Sequence, residues 1–143
     1  MGNMYETFRT DGDAEQNGIY IDYGSFRVKV ARAGGTNKAY QRELERLSRP
    51  HRRAIATEMF ENEQALALLR AAYARTVIKA WEVKTDDGWQ SGIESRTGEV
   101  LPFNEANVLA TFGELPDLFT DLMEQAGKAA LFRASLREQA AGN

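Results

Sequence analysis

The segment from residue 19 to residue 30, IYIDYGSFRVKV, most constrains how this chain can fold. Apolar and polar side chains alternate on both sides of Gly24-Ser25, which is the period of two that a half-buried strand needs. A two-residue loop with glycine first would set residues of matched chemistry opposite one another: Tyr23 with Phe26, Asp22 with Arg27, and Ile21 with Val28. The segment therefore predicts an antiparallel β-hairpin.

A helix is expected after Gly34-Gly35, capped by Thr36 or Asn37. Its apolar positions, at 4- and 3-residue spacing, are Tyr40, Leu44 and Leu47. Pro50 cannot continue this helix without the loss of a backbone hydrogen bond, so the helix should end near Ser48 and a second short helix should follow.

The longest predicted helix runs from residue 62 to residue 81. Its apolar stripe comprises Leu66, Leu69, Tyr73, Val77, Ala80 and Trp81. The following stretch, residues 85–101, contains turn signals at Asp87-Gly88 and Thr97-Gly98 and predicts either a second small hairpin or a long loop.

Two further helices are expected near the C-terminus. Asn104 is a natural cap for a short helix to about Phe112, and Pro116 fits the first position of a final helix. The inward face of that final helix should be Leu118, Phe119, Leu122, Met123 and Ala126. Leu131, Phe132 and Leu136 extend the apolar positions beyond Gly127.

These segments predict a single, mainly helical α+β domain with an N-terminal β-hairpin, and with either a second small hairpin or a long loop over residues 85–101. A length of 143 residues suits one domain. We expect the domain over residues 19–138, a flexible arm over 1–18, where the composition is acidic and polar, and a disordered tail over 139–143.

The chain contains no cysteine and a single histidine, which limits the available chemistry. His51 lies in RPHRR without a recognisable serine or carboxylate motif, and Asp86-Asp87 supplies too few oxygens for a metal ion. Gly34-Gly35 has neither of the nucleotide-binding fingerprints. We therefore expect no enzymatic activity, no cofactor and no metal.

No apolar run reaches the roughly 18 residues of a membrane span, and no secretion signal is recognisable at the N-terminus. We expect a protein of the cytoplasm. Charge is unevenly distributed, because residues 25–53 carry +7, whereas residues 1–24 carry −4 and residues 54–143 carry −6. The basic segment can serve an acidic protein partner, an intramolecular match to acidic helices, or nucleic acid. Glutamates interrupt the cluster and the whole chain carries −3, which argues against nucleic acid.

The blocks YGSFRVKVARAGGTNKAY and LPFNEANVLATFGELPDLFTDLMEQA, with a helix ending in Trp81 between them, resemble the tail assembly chaperones of siphophages. The resemblance covers residues 19 to 126, although the connection from Trp81 to Pro102 is longer than the compact turn expected of that family. The lambda G protein is the familiar functional analogue.

The resemblance implies a non-enzymatic protein of the host cytoplasm that binds the tape measure protein and keeps it from aggregating while the tail tube assembles. It implies that the protein is absent from the virion. It also implies that a longer, frameshifted form can recruit the tail tube protein. Self-association is a further option.

The partner-binding hypothesis names two groups of residues. Arg42, Arg46 and Arg53 would steer partners, and an exposed apolar strip would comprise Leu118, Phe119, Leu122, Leu131 and Phe132. The alternative for the strip is that it covers the core. The alternative functions are a structural phage component, such as a head-tail connector or tail completion subunit, and a small DNA-binding regulator.

Overall fold

A computed structural model describes residues 2–134 and 136 of the chain. Within these residues the helices are α1 (Met4–Phe8), α2 (Gly12–Asn17), α3 (Lys38–Ser48), α4 (Arg52–Ala56), α5 (Asn62–Thr76), α6 (Glu105–Glu114) and α7 (Pro116–Gly127). The strands are β1 (Ile19–Asp22), β2 (Phe26–Val30), β3 (Ile78–Thr85), β4 (Gly88–Ser91), β5 (Ile93–Glu94) and β6 (Val100–Leu101). The tail expected over 139–143 lies outside the described residues.

The predicted hairpin is confirmed as β1 and β2. Cα partners include Ile21 with Val28 and Asp22 with Arg27, as the alternation required. The amide of Tyr23 donates to the carbonyl of Phe26 at 2.9 Å and closes the two-residue turn. Gly24 has a φ of 94°, a conformation that glycine adopts without steric cost, which is why this turn begins with glycine.

The main sheet is antiparallel, with strand order β1-β2-β3-β4. Its inner face carries Val28 opposite Trp81, and both side chains are buried. Helices cover this face, and the core continues through Tyr73, Phe112 and Phe119. The helices and the antiparallel sheet confirm the predicted α+β class.

The predicted helix over 62–81 is wrong in its last part, because α5 ends at Thr76 and β3 begins at Ile78. The register between β2 and β3 shifts so that Lys29 faces Ala80 while Val30 faces Ile78, which leaves Lys79 as an extra residue. This bulge separates the inward side chains of Ile78 and Trp81 by three residues. The spacing imitates a helical face, although β-branched residues at this point favour a strand.

The turn-rich stretch contributes to both sheets. The Asp86-Asp87 turn joins β3 to β4, which extends the main sheet. Farther on, β5 and β6 form the second small hairpin, with Ile93 opposite Leu101.

The expected helix after Gly34-Gly35 is confirmed as α3, followed by a 3₁₀ turn at Arg49–His51 and the short α4. Asn37 occupies the capping position, but its side chain makes no capping hydrogen bond. The buried amide group of Asn37 instead donates to the carbonyls of Arg32 (2.9 Å) and Thr76 (3.2 Å). It therefore ties the start of α3 to the end of α5.

The two C-terminal helices begin as predicted. The Asn104 side chain accepts from the amide of Asn107 at 2.8 Å, and Pro116 opens α7. Gly127 is the last residue of α7. Lys128 is extended, and a 3₁₀ turn at Ala129–Phe132 follows, so the helix does not continue to Phe132.

The segment expected to be a flexible arm contains α1 and α2, and α2 packs against the domain. The amide of Asp11 donates to the carbonyl of Phe132 at 2.7 Å, and the amide of Arg32 donates to the carbonyl of Glu15 at 2.9 Å. The Glu15 side chain is fully buried. The composition of residues 1–18 did not indicate that α2 packs against the domain, because this packing involves the pairing of Glu15 with Arg32, which is distant in sequence.

Candidate functional site

An apolar groove of about 340 Å³ opens at the end of the domain where the β1–β2 hairpin turns. The hairpin tip, the β5–β6 hairpin, α6 and the start of α7 form its walls. Its apolar lining residues are Phe26, Trp81, Ile93, Leu101, Ala110, Leu115 and Leu118. The depression continues over Pro116 and Asp117. We call this surface the apolar groove.

Stacked aromatic rings form one side of the groove. The Phe26 ring lies nearly parallel to the rings of Tyr23 and Trp81, with centroid distances of 4.8 and 6.1 Å. Tyr23 and Phe26 flank the tight turn, whereas Trp81 comes from the neighbouring strand. Because pairing within the sheet sets all three positions, this side of the groove is preformed.

The opposite side contains an exposed leucine at the corner between α6 and α7. Leu115 is 54% exposed although its backbone is well held. Its amide donates to the carbonyl of Thr111 at 2.8 Å, and its carbonyl accepts from the amide of Leu118 at 3.1 Å. Pro116 then starts α7. The corner thus presents a large apolar side chain to solvent beside half-buried Leu118.

The charged side chains that line the groove are mostly acidic. They are the carboxylates of Glu94, Glu114 and Asp117 and the guanidinium of Arg96. Arg96 Nη2 lies 3.4 Å from Glu114 Oε2, and both side chains are largely exposed. Three carboxylates against one guanidinium leave the rim with a net negative charge, and an exposed pair of this kind is weak.

A hydrogen bond attaches α7 to the hairpin beside the groove. The Tyr23 hydroxyl donates to Asp121 Oδ2 at 2.5 Å. Burial, together with this bond to the Asp121 carboxylate, raises the pKa of Tyr23 well above its ordinary value. The hydroxyl therefore stays protonated and able to donate at neutral pH.

Of the apolar strip predicted from the sequence, only part is accessible. Leu118 lines the groove and Leu131 is half-buried. Phe119, Leu122 and Phe132 are completely or almost completely buried in the core. The exposed strip is therefore corrected for these three residues. Phe119 and Leu122 lie on the face of α7 that packs into the core, where the Phe119 ring contacts the Tyr73 ring of α5. Phe132 lies in the 3₁₀ turn after α7 and belongs to the same core cluster. The alternative, that the face covers the core, applies to them.

The three arginines predicted to steer partners lie on α3 and α4, and none of them lines the groove. The side chains of Arg42 and Arg53 are exposed and make no ion pair within the described part of the chain. Arg46 is paired with Glu43 one turn earlier. Their proposed role in partner binding stays a prediction.

The basic segment is not uniformly electropositive, because several of its members pair with acidic side chains. The pairs are Arg27 with Glu82 (2.6 Å), Arg32 with Glu15 (2.8 Å), Arg46 with Glu43, and Arg49 with Glu45 (3.8 Å). These basic side chains therefore pair with acidic side chains of the same chain, which was one of the alternatives for the basic segment.

Sequence reasoning missed most of the groove. Ile93 and Leu101 lie in the turn-rich stretch, where the only available signal was apolar residues between turn residues. Leu115 was hidden because it falls between two predicted helices. The groove forms only when these residues meet Phe26, which is distant in sequence.

Neither His51 nor the Asp86-Asp87 pair is among the described residues that line the groove. The ring of His51 packs against that of Phe60, with centroids 4.9 Å apart. Within residues 2–134 and 136, no group of three or more His, Cys, Asp or Glu side chains is placed to hold a metal ion. None of the helices in that part of the chain is both long and apolar enough to cross a membrane.

Residues 35–143 match the model of a protein family described as YdaY prophage protein. The match includes every residue of the groove except the hairpin tip, Ser25 and Phe26. No curated protein matches the chain, and no solved structure does.

Proposed function

Because the chain belongs to the YdaY prophage protein family and is therefore a phage-derived protein, we propose that it acts as a tail assembly chaperone of a long-tailed phage. It binds the tape measure protein in the host cytoplasm and helps the tail tube to assemble. It performs no catalysis and leaves the tail before the virion is complete. A longer, frameshifted form would recruit the tail tube protein.

The observation that carries this proposal is the preformed apolar groove. Phe26 and Trp81 form a rigid side, and Leu115 and Leu118 form an accessible one. A groove of about 340 Å³ lies at the small end of the range for ligand pockets, which suits a few side chains of a partner helix. Helix-in-groove binding needs no catalytic group.

The expected affinity also suits a helper that must release its partner. Burial of a large aliphatic side chain contributes about 1.5–3 kcal/mol, and the ordering of the partner offsets part of this. A small groove therefore gives modest affinity at each contact. A long helical chain such as the tape measure protein supplies many such contacts and can be covered by many copies.

The proposal is tested by co-expression of this protein with the tape measure protein encoded in the same phage. The readouts are co-purification and the soluble fraction of the tape measure chain. Leu115→Asp should abolish both, because it places a charge in the groove. Met59→Asp is the matched control, since Met59 is 75% exposed and lies outside the groove.

A tape measure chain that stays insoluble and unbound beside the wild-type protein would overturn the chaperone function. Detection of the protein in purified virions would favour the alternative, a head-tail connector or tail completion subunit. Affinity for DNA that falls steeply with salt would favour the third class, a small regulator.

A further inference from the structure

The groove combines two properties that together specify the chemistry of its occupant. The lining is apolar where Phe26, Leu115 and Leu118 meet, and the charged side chains at its margin are mostly carboxylates. We propose that the apolar groove takes an amphipathic helix whose apolar face is flanked by lysine or arginine side chains.

The apolar part of the groove requires large aliphatic or aromatic side chains. Leu115 and Phe26 lie on opposite sides of the opening and both line its two connected parts. Residues three or four positions apart on one face of a helix can enter two such adjacent depressions. An extended polar peptide would leave this apolar surface without a partner.

The acidic rim requires positive charge beside that apolar face. Glu94 lies on the β5 side of the groove, and Glu114 and Asp117 lie on the α6–α7 side. Among the described residues that line the groove, Arg96 is the single cation. It pairs with Glu114, and within the same part of the chain Glu94 and Asp117 make no ion pair. A helix with acidic flanks would be repelled from both sides, whereas one with basic flanks meets a carboxylate on each side.

The lysine or arginine side chains of the partner helix would meet the rim carboxylates at the edge of the interface. Lysine and arginine stems can lie along apolar surface while their charged ends reach the carboxylates, so the same residues serve both properties of the groove. Because the helix is assigned to the tape measure partner, the proposal rests on the proposed function, and it adds the partner's chemistry.

The test uses three synthetic helical peptides of about 20 residues, a length at which isolated helices become populated. They share one leucine-rich face and differ only in flanking residues, which are lysine, glutamine or glutamate. Binding to the full chain is followed by fluorescence anisotropy of a labelled peptide. We expect the lysine peptide to bind about tenfold more tightly than the glutamine peptide at low salt, with the difference shrinking at about 0.5 M salt.

Two variants assign the effect to this surface. Glu114→Lys combined with Asp117→Lys should remove or invert the preference for lysine flanks. The matched control is Glu58→Lys with Glu63→Lys, which changes the net charge equally at exposed residues outside the groove. Leu115→Asp should weaken the binding of all three peptides. Equal binding of the lysine and glutamate peptides, or a preference that survives the Glu114/Asp117 reversal, would overturn the proposal.

Failure of this proposal is distinguishable from failure of the proposed function. If the tape measure chain co-purifies in a Leu115-dependent manner but the Glu114/Asp117 reversal has no effect, the acidic rim plays no part and the chaperone function stands. If the lysine peptide binds with the expected preference while the tape measure chain is neither bound nor solubilised, the groove chemistry stands with another basic helix as its partner.

Discussion

The fully buried carboxylate of Glu15 accepts a hydrogen bond from the guanidinium of Arg32, with Nη1 and Oε2 2.8 Å apart. The hydroxyl of Thr10 donates to the same carboxylate at 2.7 Å, and that of Thr36 donates at 3.2 Å. This cluster holds α2 against the domain. An ideal Cβ at Gly35 would lie 1.8 Å from Glu15 Oε2, so only glycine leaves room for the carboxylate here.

Replacement of Glu15 by glutamine should destabilise the protein by about 2–3 kcal/mol, because removal of one partner of a buried pair leaves the other uncompensated. The value lies below the range for fully buried pairs since Arg32 can still reach solvent. Urea unfolding at neutral pH measures it. Glu63→Gln, at an exposed site, is the control, and equal stabilities of the two variants would contradict the prediction.

The contribution of Glu15 should depend on pH. Burial opposes ionisation of the carboxyl, but hydrogen bonds from Thr10, Arg32 and Thr36 outweigh it and hold the pKa of Glu15 below its ordinary value of 4.5. A lowered folded-state pKa contributes stability that is present above 4.5 and is lost as the pH falls through the folded-state value. Unfolding free energies of wild type and Glu15→Gln should therefore converge on acidification from pH 5 to pH 3. A constant difference over this range would argue against an ionised Glu15.

Substitutions of Leu115 and Leu122 should differ in their effect on the free energy of unfolding. Leu115→Ser should change the free energy of unfolding by less than about 0.5 kcal/mol, since the side chain is largely exposed. Leu122→Ala should cost about 2–5 kcal/mol, because it opens a cavity in the core. Chemical denaturation tests both values. A large loss of stability at Leu115 would mean that the groove is part of the core.

Gly92 should be essential for the groove wall formed by β5 and β6. Its φ is 143°, and an ideal Cβ there would lie 2.4 Å from Val100 Cγ1 and 2.7 Å from the carbonyl oxygen of Leu101. Gly92→Ala should therefore destabilise the protein by about 1–3 kcal/mol and weaken partner binding.

The matched control for Gly92 is Gly113, which lies within α6 with open space at its Cβ position. Gly113→Ala should stabilise the protein by about 0.5–1 kcal/mol through the higher helix propensity of alanine. Thermal unfolding of both variants provides the comparison. If both changes destabilised the protein, the loss at Gly92 would not be specific to the clash of a Cβ with Val100 and Leu101.

Charge reversal of Arg42, Arg46 and Arg53 to glutamate should slow association with the partner about tenfold at low ionic strength, if these arginines steer its acidic segments. The dissociation rate should change little, because none of the three lines the groove. Stopped-flow binding at several salt concentrations measures both rates. An unchanged association rate at low salt would exclude the steering role.

Local sequence patterns were sufficient to predict several elements of the fold. The Gly24-Ser25 turn and the alternation around it were sufficient for the register of β1 and β2, because hairpin geometry depends on residues adjacent in sequence. The starts of α6 and α7 were equally clear, since the Asn104 cap and Pro116 act within one turn.

Other elements depended on distant partners. Residues 77–81 carried both a helical spacing and β-branched side chains, and the choice was made by pairing with β2, including the bulge at Lys79. Glu15 resembled any acid of a polar arm until Arg32 and Thr36 were placed beside it.

The sequence by itself determined the α+β class and the N-terminal hairpin with its register, and it left residues 85–101 open between a second small hairpin and a long loop. Only the tertiary structure decided which apolar residues are core and which form a binding surface. Phe119 and Leu122 are buried, whereas Leu118 lines the groove, although all three belong to the apolar face predicted for one helix. Leu115, which falls between two predicted helices, lines the groove as well. The reason is that burial depends on what packs against a side chain, and here that is set by contacts between segments far apart in the chain.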